Sequence, residues 1–118
     1  MNKRIFGQEG ESAARSYLVS KGAKILEMNF RRPSGEIDII AKHKKTILFV
    51  EVKRRSSLRF GRPAEAVNPA KQTHILRTAM MYLQENSLED VPIRFDIIEI
   101  LPDGVNHIEN AFDATNMF

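Results

Sequence analysis

The sequence contains no cysteine, which excludes a disulfide scaffold, a thiolate zinc site and a cysteine nucleophile. No apolar run approaches the ~20 residues that a membrane-spanning helix requires. The charged start of the chain, residues 1–4, is not followed by an apolar segment, so we expect no secretory signal, no membrane partner and a cytoplasmic location. Charge of one sign is not in large excess either, because 18 Lys and Arg face 15 Asp and Glu, a net charge of +3. The placement of the charges therefore matters more than their sum.

The composition that remains is that of an ordinary globular protein. The chain has 118 residues, of which 42% are hydrophobic and 28% charged, and this suits one domain with a single core. We predict that the domain spans residues 1–112 and that residues 113–118 form a C-terminal tail.

Hydrophobic periodicity predicts seven secondary-structure elements in the order α-β-β-β-α-β-β. The first helix is predicted over about residues 8–21 and ends before Gly22. The second is predicted over about residues 69–85, with Asn68 as its N-cap and a proline at its first position. Strands are predicted at residues 24–30, 36–41, 46–53 and 93–101, with a short edge strand at 105–112.

The predicted strand at residues 46–53 begins apolar on both of its alternating faces, which indicates a central strand buried on both sides. The second helix has an apolar stripe that should face the sheet. Its predicted members are Gln72, Ile75, Leu76, Ala79 and Leu83. One helix on each face of a mixed sheet is the simplest way to bury such a strand. The predicted fold is therefore α/β, with a central mixed β-sheet flanked by helices.

Charged side chains interrupt the two best-defined strands at matching points. Residues two apart on a strand share a face, so Glu36 and Asp38 point the same way, as do Glu51 and Lys53. A hairpin centred on the loop at residues 42–45 would place Asp38 opposite Glu51, although the sequence does not fix the register. Opposed carboxylates repel each other, and a divalent cation would remove the conflict. Oxygen ligands suit Mg²⁺ or Mn²⁺, so Asp38 and Glu51 are the predicted metal ligands.

Lys53 would supply the positive charge that phosphodiester hydrolysis needs near a phosphate, or help to orient a water. In the first helix, Glu11 shares the inward stripe of Ala14 and Leu18, which is an unusual place for a carboxylate. The alternative interpretation is that Glu51 and Lys53 are solvent-facing strand residues.

A basic segment follows the second of these strands. Between residues 53 and 62 five residues are basic and none is acidic: Lys53, Arg54, Arg55, Arg59 and Arg62. Arginine binds phosphate oxygens through two parallel hydrogen bonds, so this segment is predicted to contact nucleic acid, with a solvated loop as the alternative. Lys71 and Gln72 lie in the first turns of the second helix, whose N-terminus favours anions, so we expect both to approach the phosphate backbone of a nucleic acid. For Gln72 a hydrogen-bonded place on the inner stripe is an equal alternative.

Three histidines are interpreted as structural or surface residues, and one aspartate has two interpretations. His43, His74 and His107 have no metal-ligand spacing, so we interpret them as structural or surface residues. Asp96 has two interpretations. It is either a structural residue, whose partner is Arg94 or a loop, or a residue of the site.

The motifs taken together resemble those of known proteins. Glu36-Ile37-Asp38, twelve residues and then Glu51-Val52-Lys53 resemble the D…ExK signature of the PD-(D/E)xK restriction-endonuclease-like superfamily, although the proline of its name is absent. The fuller pattern is similar to that of the YraN family (uncharacterised protein family 0102). Its matching positions are Gly7, Gly10, Glu11, Ala14, residues 29–31, 35–38 and 49–53, Arg55, Phe60, Gly61, Lys71 and residues 94–96.

The resemblance implies a metal-dependent endonuclease fold similar to that of archaeal Holliday-junction resolvases, with Glu11 as an accessory carboxylate. It also implies a homodimer where two strands must be cut symmetrically. We therefore expect a Mg²⁺- or Mn²⁺-dependent endonuclease-like protein that binds DNA or RNA, including branched forms. Its expected catalytic residues are Asp38, Glu51, Lys53 and Glu11, with Glu36 and Gln72 as accessory residues. The alternatives are a nucleic-acid-binding module without activity, and a non-enzymatic interaction domain.

Overall fold

The computed structural model describes residues 3–55 and 67–113, with side chains from residue 9 onward. Within these residues, helices and strands follow one another in the predicted order α-β-β-β-α-β-β. The helices are α1 (Lys3–Ser20) and α2 (Pro69–Glu85), and the strands are β1 (Lys24–Arg32), β2 (Gly35–His43), β3 (Thr46–Arg54), β4 (Ile93–Leu101) and β5 (Gly104–Phe112). No helix in this part of the chain is long and apolar enough to cross a membrane.

The five strands form one mixed sheet in the order β1-β2-β3-β4-β5. Neighbouring strands are antiparallel except for β3 and β4, which are parallel, with Glu51 opposite Ile97 and Lys53 opposite Glu99. Parallel strands need a crossover connection, and here the connecting segment contains α2. The sheet therefore has β3 at its centre, as the apolar pattern of that strand predicted.

Each face of the sheet has its own apolar layer. Phe49 of β3 packs in the layer under α2 with Ile75, Leu76, Ala79 and Tyr82. On the other face, Leu48 and Val50 of β3 pack in the layer under α1, whose members also include Ala14, Leu18, Ile39 and Ile98. The predicted arrangement of a mixed sheet with helices on its faces is confirmed.

The boundaries of α1, β1 and β2 differ from the prediction, and β2, which was predicted over residues 36–41, spans Gly35–His43. Helix α1 begins at Lys3 rather than near Gln8. Strand β1 continues to Arg32, although a turn was expected from residue 31. The extension has a cross-strand cause, because Arg31 lies opposite Glu36 and its Nε is 3.1 Å from Glu36 Oε1.

The buried stripe of α2 also differs in part. Ile75, Leu76 and Ala79 are buried as predicted, but Tyr82 takes the place expected for Leu83, which is only partly buried. The Tyr82 ring packs edge-on against Phe30, with ring centroids 5.3 Å apart. A long-range aromatic contact of this kind is not visible in the helical periodicity.

The start of α2 is confirmed by its capping geometry. Asn68 has an extended backbone, and its side chain accepts a hydrogen bond of 2.9 Å from the backbone N–H of Lys71. Pro69 occupies the first helical position, where its missing N–H costs no hydrogen bond. This cap fixes where the Lys71 side chain leaves the helix.

Candidate active site

The pairing of β2 with β3 positions the first carboxylate. Ile39 lies opposite Val50, and continuing this register by one residue places Asp38 opposite Glu51, as the sequence symmetry suggested. The backbone ladder ends at Ile39, however, and Asp38 Oδ2 instead accepts a hydrogen bond of 2.8 Å from the backbone N–H of Val52. The Asp38 side chain thus replaces backbone pairing at the point where the two strands separate.

A cavity of about 400 Å³ opens at this point, on the face of the sheet that α2 covers. Asp38 and Glu51 both line it, together with Glu36 from β2 and Lys71 and His74 from α2. Glu51 is only 8% exposed. The structure therefore brings the two predicted metal ligands onto one cavity, with a third carboxylate at its edge.

Two lysines approach the same oxygen of Glu51. Lys71 Nζ is 2.6 Å from Glu51 Oε1, whereas Lys53 Nζ is 3.6 Å from it. Lys71 was predicted to contact a phosphate, and that stays a prediction; the structure adds that its ammonium group lies on the Glu51 carboxylate while its side chain is 38% exposed. The helix cap at Asn68 signalled that Lys71 lies in a first helical turn. Which strand end that turn meets is a tertiary property that the sequence does not show.

Burial and charge repulsion act together on Asp38. Burial is the largest cause that raises the pKa of its carboxyl group, and the neighbouring charge of Glu51 adds to it. The hydrogen bond from Val52 opposes these effects, but the pKa still rises from 3.8 to about 7. Glu11 and Glu36 raise it further through their charges. Negative charge is therefore in excess at Asp38, even with two lysines close to Glu51.

The two lysines respond to the site in opposite directions. Burial lowers the pKa of Lys53, and the contact with Lys71 lowers it further against the attraction of Glu51. Burial would also lower the pKa of Lys71, but its hydrogen bond to Glu51 and the charge of Glu51 outweigh burial and raise it. Lys71 is thus the firmly held cation of the pair, and Lys53 is the one whose proton is more easily lost.

The accessory residues take up different positions. Glu11, half-buried on α1, is close enough to raise the pKa of Asp38, so the structure places it toward the predicted site. Glu36 lines the cavity while it pairs with Arg31. Gln72 donates a hydrogen bond of 2.8 Å to the backbone oxygen of Val67, which is the structural alternative for this residue.

The described part of the basic segment is bound to acidic residues. Arg54 NH1 lies 3.0 Å from Glu9 Oε2 on α1. Arg55 forms an ion pair with Glu99, whose carboxylate is fully buried and also accepts a 3.0 Å hydrogen bond from Asn106. Replacing Arg55 would leave this carboxylate without its cation, so such a variant is a poor probe of phosphate binding. Arg59 and Arg62, with Phe60 and Gly61, lie outside the described residues.

Asp96 has a structural role. Its carboxylate is fully buried and accepts hydrogen bonds of 2.8 and 2.9 Å from Nε and one terminal nitrogen of Arg94. The pairing with Arg94 is one of the two interpretations that the sequence left open. Asp96 lies in the strand adjacent to β3 but does not line the cavity of Asp38 and Glu51.

The donor set at the cavity fits a hard divalent cation. Carboxylate oxygens are the ligands that Mg²⁺ and Mn²⁺ prefer, and the negative charges of Glu51, Glu11 and Glu36, which act on Asp38, favour added positive charge there. Among residues 3–55 and 67–113, no group of three or more His, Asp or Glu side chains is close enough to hold a metal. Asp38 and Glu51 would therefore share a cation with waters, as is usual for Mg²⁺.

Comparisons with known proteins place the chain in a family. The model of the uncharacterised protein family UPF0102 matches residues 10–100. A UPF0102 protein of Clostridioides difficile (strain 630) is 52% identical over 114 residues, which cover 95% of this chain and 100% of the relative. A UPF0102 protein of Thermodesulfovibrio yellowstonii is 51% identical over 106 residues, which cover 90% of this chain and 94% of the relative. The matched segment includes Asp38, Glu51, Lys53 and Lys71. Because the family model matches most of the chain and these relatives are about half identical to it over nearly its whole length, the chain belongs to the UPF0102 family.

Proposed function

We propose that this protein is a metal-dependent phosphodiester hydrolase that acts on nucleic acid. The observation that carries the proposal is the joint position of Asp38 and Glu51 on one cavity, with two lysine ammonium groups on Glu51. The similarity of Asp38…Glu51-Val52-Lys53 to the D…ExK signature of nucleases supports the same proposal. Homodimers acting in the cytoplasm, with each copy cutting one strand of a branched substrate, are part of the proposal.

In this proposal Asp38 and Glu51 hold the cation, which, when bound, polarises a phosphoryl oxygen and lowers the pKa of a water. Lys53 and Lys71 place positive charge where a phosphate group would enter the cavity. Lys53 is 27% exposed at its side chain, so its ammonium group is accessible to a ligand. Because burial and Lys71 lower its pKa, Lys53 is suited to giving up a proton near the reacting phosphate.

The test is a cleavage screen of branched, single-stranded and duplex DNA and RNA in Mg²⁺ and in Mn²⁺. We expect cleavage of at least one substrate by the wild type, and a loss of at least about 100-fold in Asp38→Asn and in Lys53→Ala. Glu27→Gln is the matched control, because Glu27 is an exposed carboxylate of β1. Cleavage that survives in Asp38→Asn, or that falls equally in Glu27→Gln, would reject the assignment.

A second candidate is a nucleic-acid-binding module that does not hydrolyse its ligand. One observation favours it, because the Lys71 ammonium group already neutralises Glu51 without any metal. Metal binding and nucleic-acid binding without cleavage would support this candidate. Failure to bind any nucleic acid at low salt would leave the interaction-domain alternative.

A further inference from the structure

A second cavity, of about 250 Å³, lies on the opposite face of the sheet from Asp38 and Glu51. Its apolar floor consists of Leu18, Ala23 and Leu48, which belong to the layer under α1. None of the residues that line it also lines the cavity of Asp38 and Glu51. It is therefore a separate feature of the molecule.

A partly buried hydrogen-bonded chain leads from Asp96 to this cavity. Asp96 Oδ2 is 2.7 Å from His107 Nε2, and His107 Nδ1 is 3.1 Å from the hydroxyl oxygen of Tyr17. Asp96 already receives hydrogen bonds from Arg94 and from the backbone N–H of Asn110. These donors already give the buried carboxylate of Asp96 its hydrogen bonds. His107 and Tyr17 extend the hydrogen-bonded chain to the cavity, which both residues line.

The ionised state of Asp96 sets the direction of these hydrogen bonds. Burial alone would raise the pKa of Asp96, but the hydrogen bonds from His107, Arg94 and Asn110 outweigh burial and hold the pKa below its usual value. An ionised carboxylate only accepts, so His107 Nε2 carries the proton. In the neutral imidazole, Nδ1 then accepts from the Tyr17 hydroxyl group. The oxygen of Tyr17, a residue that lines the cavity, then keeps acceptor capacity for a ligand.

The polar groups at the cavity are balanced in charge and mixed in type. Lys21, which lies 5.7 Å from the centre of the Tyr17 ring, and Arg94 are cations and hydrogen-bond donors. Glu109, 3.6 Å from Arg94, is an anion of the cavity lining, and the buried Asp96, which lies behind the lining against Arg94 and His107, is a second anion, so the two signs cancel. A balanced site of this kind disfavours a strongly charged ligand and favours a neutral one that both donates and accepts hydrogen bonds.

From this arrangement we propose that the second cavity binds a nucleobase. A base is planar and neutral, has an apolar face for the floor formed by Leu18, Ala23 and Leu48, and offers donors and acceptors along its edge. The volume suits it, because about 250 Å³ corresponds to about eight water volumes of ~30 Å³ and lies just below the range of drug-sized ligands, which begins at about 300 Å³. Tyr17 and His107, whose ring planes meet at 84°, are the aromatic residues of the lining.

The base has two sources, a free nucleoside or an unpaired base of a nucleic acid. Titration calorimetry with adenosine, guanosine, cytidine and uridine tests the first source. Single-stranded oligonucleotides and their abasic counterparts test the second. The proposal goes beyond the hydrolase function and does not depend on it, because no cleavage is measured.

We expect saturable binding of at least one probe at micromolar to millimolar concentration. Tyr17→Phe should weaken it about 5- to 10-fold through the loss of one hydrogen bond. Tyr82→Phe is the matched control, since it removes the other tyrosine hydroxyl group from the α2 layer and should leave affinity unchanged. Ala23→Leu, which fills the cavity floor, should abolish binding while circular dichroism shows a folded protein.

Three results would overturn the proposal. They are an absence of saturation by all probes at several millimolar, equal affinity of wild type and Tyr17→Phe, and equal affinity for oligonucleotides with and without bases when nucleosides do not bind. Nucleoside binding that Tyr17→Phe weakens supports a free ligand. Binding only of base-containing oligonucleotides, weakened in the same variant, supports an unpaired base of a nucleic acid.

Discussion

At the scale of single residues, the charge of the candidate site is distributed unevenly. Lys71 compensates Glu51 at 2.6 Å, whereas Asp38 has a backbone N–H as its hydrogen-bond partner and a pKa of about 7. A cation that enters the cavity therefore meets an Asp38 that is held by a backbone hydrogen bond and a Glu51 that is already paired with Lys71. Lys71 and a metal would compete for the same carboxylate.

Lys71→Met tests this competition. Without the ammonium group, Glu51 keeps only the more distant Lys53, so the metal-free protein should lose about 1–2 kcal/mol of stability, a figure reduced for the solvent exposure of Lys71. Affinity for Mn²⁺, measured by calorimetry, should increase. Lys24→Met, at an exposed position of β1, is the control. An unchanged affinity in Lys71→Met would show that the ammonium group does not compete with the metal.

A pH dependence follows from Asp38. Its pKa is raised from 3.8 to about 7 in the folded protein, so between these values the folded state binds a proton that the unfolded state does not. This group therefore makes the protein less stable as the pH rises from about 4 to about 7. Urea denaturation of wild type and Asp38→Asn across this range should show a smaller loss of stability in the variant. Identical slopes would mean that Asp38 is not protonated in the folded state.

At the scale of elements, the site depends on how closely α2 approaches the start of β2. Gly35 has φ +150°, and a Cβ atom there would lie 3.3 Å from His74 Cβ and 3.3 Å from Thr78 Oγ1. The Thr78 hydroxyl group also contacts Ser34, with 2.7 Å between the oxygens. The glycine lets the helix pack against the turn that precedes Glu36 and Asp38.

Gly35→Ala should destabilise the protein by roughly 1–3 kcal/mol, because it adds strain at a left-handed φ and a tight contact with α2. Gly104→Ala is the matched control, since a Cβ atom at Gly104 meets nothing within 4 Å. That change should stay within about 0.5 kcal/mol. Chemical denaturation of both variants measures the difference. Equal effects would show that close packing at Gly35 is unimportant.

The elements also show which features are encoded locally. The Asn68 cap and the apolar start of β3 on both faces follow from spacing along the chain, and they were predictable. The spacing about the loop also suggested that Asp38 lies opposite Glu51, although it did not fix the register. The Lys71–Glu51 contact and the Arg55–Glu99 ion pair were not, because they depend on the parallel pairing of β3 with β4 and on the position of α2. Sequence periodicity gives the faces of these elements but not their neighbours.

At the scale of the whole molecule, one sheet separates two cavities whose linings include charged side chains. The cavity of Asp38 and Glu51 lies under α2, and the cavity of Tyr17 and His107 lies under α1. Both are lined by residues from distant parts of the chain, so each is intact only in the folded protein. Ligands of either cavity should therefore stabilise the fold as a whole.

Mg²⁺ should raise the melting temperature in a concentration-dependent manner, because it binds the folded state. At a concentration of 100 times the dissociation constant the gain is about 2.7 kcal/mol. Thermal denaturation of Asp38→Asn should show little or no such gain, whereas Glu27→Gln should behave as the wild type. A gain of the same size in Asp38→Asn would place the metal elsewhere.

The hydrogen bond from Val52 to Asp38 makes one backbone amide a natural reporter. Val52 N–H donates a hydrogen bond to the Asp38 carboxylate at the point where β2 and β3 separate. The negative charge on that carboxylate decreases when it is protonated or when it binds a cation, and the hydrogen bond weakens accordingly. The chemical shift and the hydrogen-exchange rate of this amide should thus follow the occupancy of the neighbouring carboxylate. A single resonance in an NMR spectrum can therefore show the state of the site without any substrate.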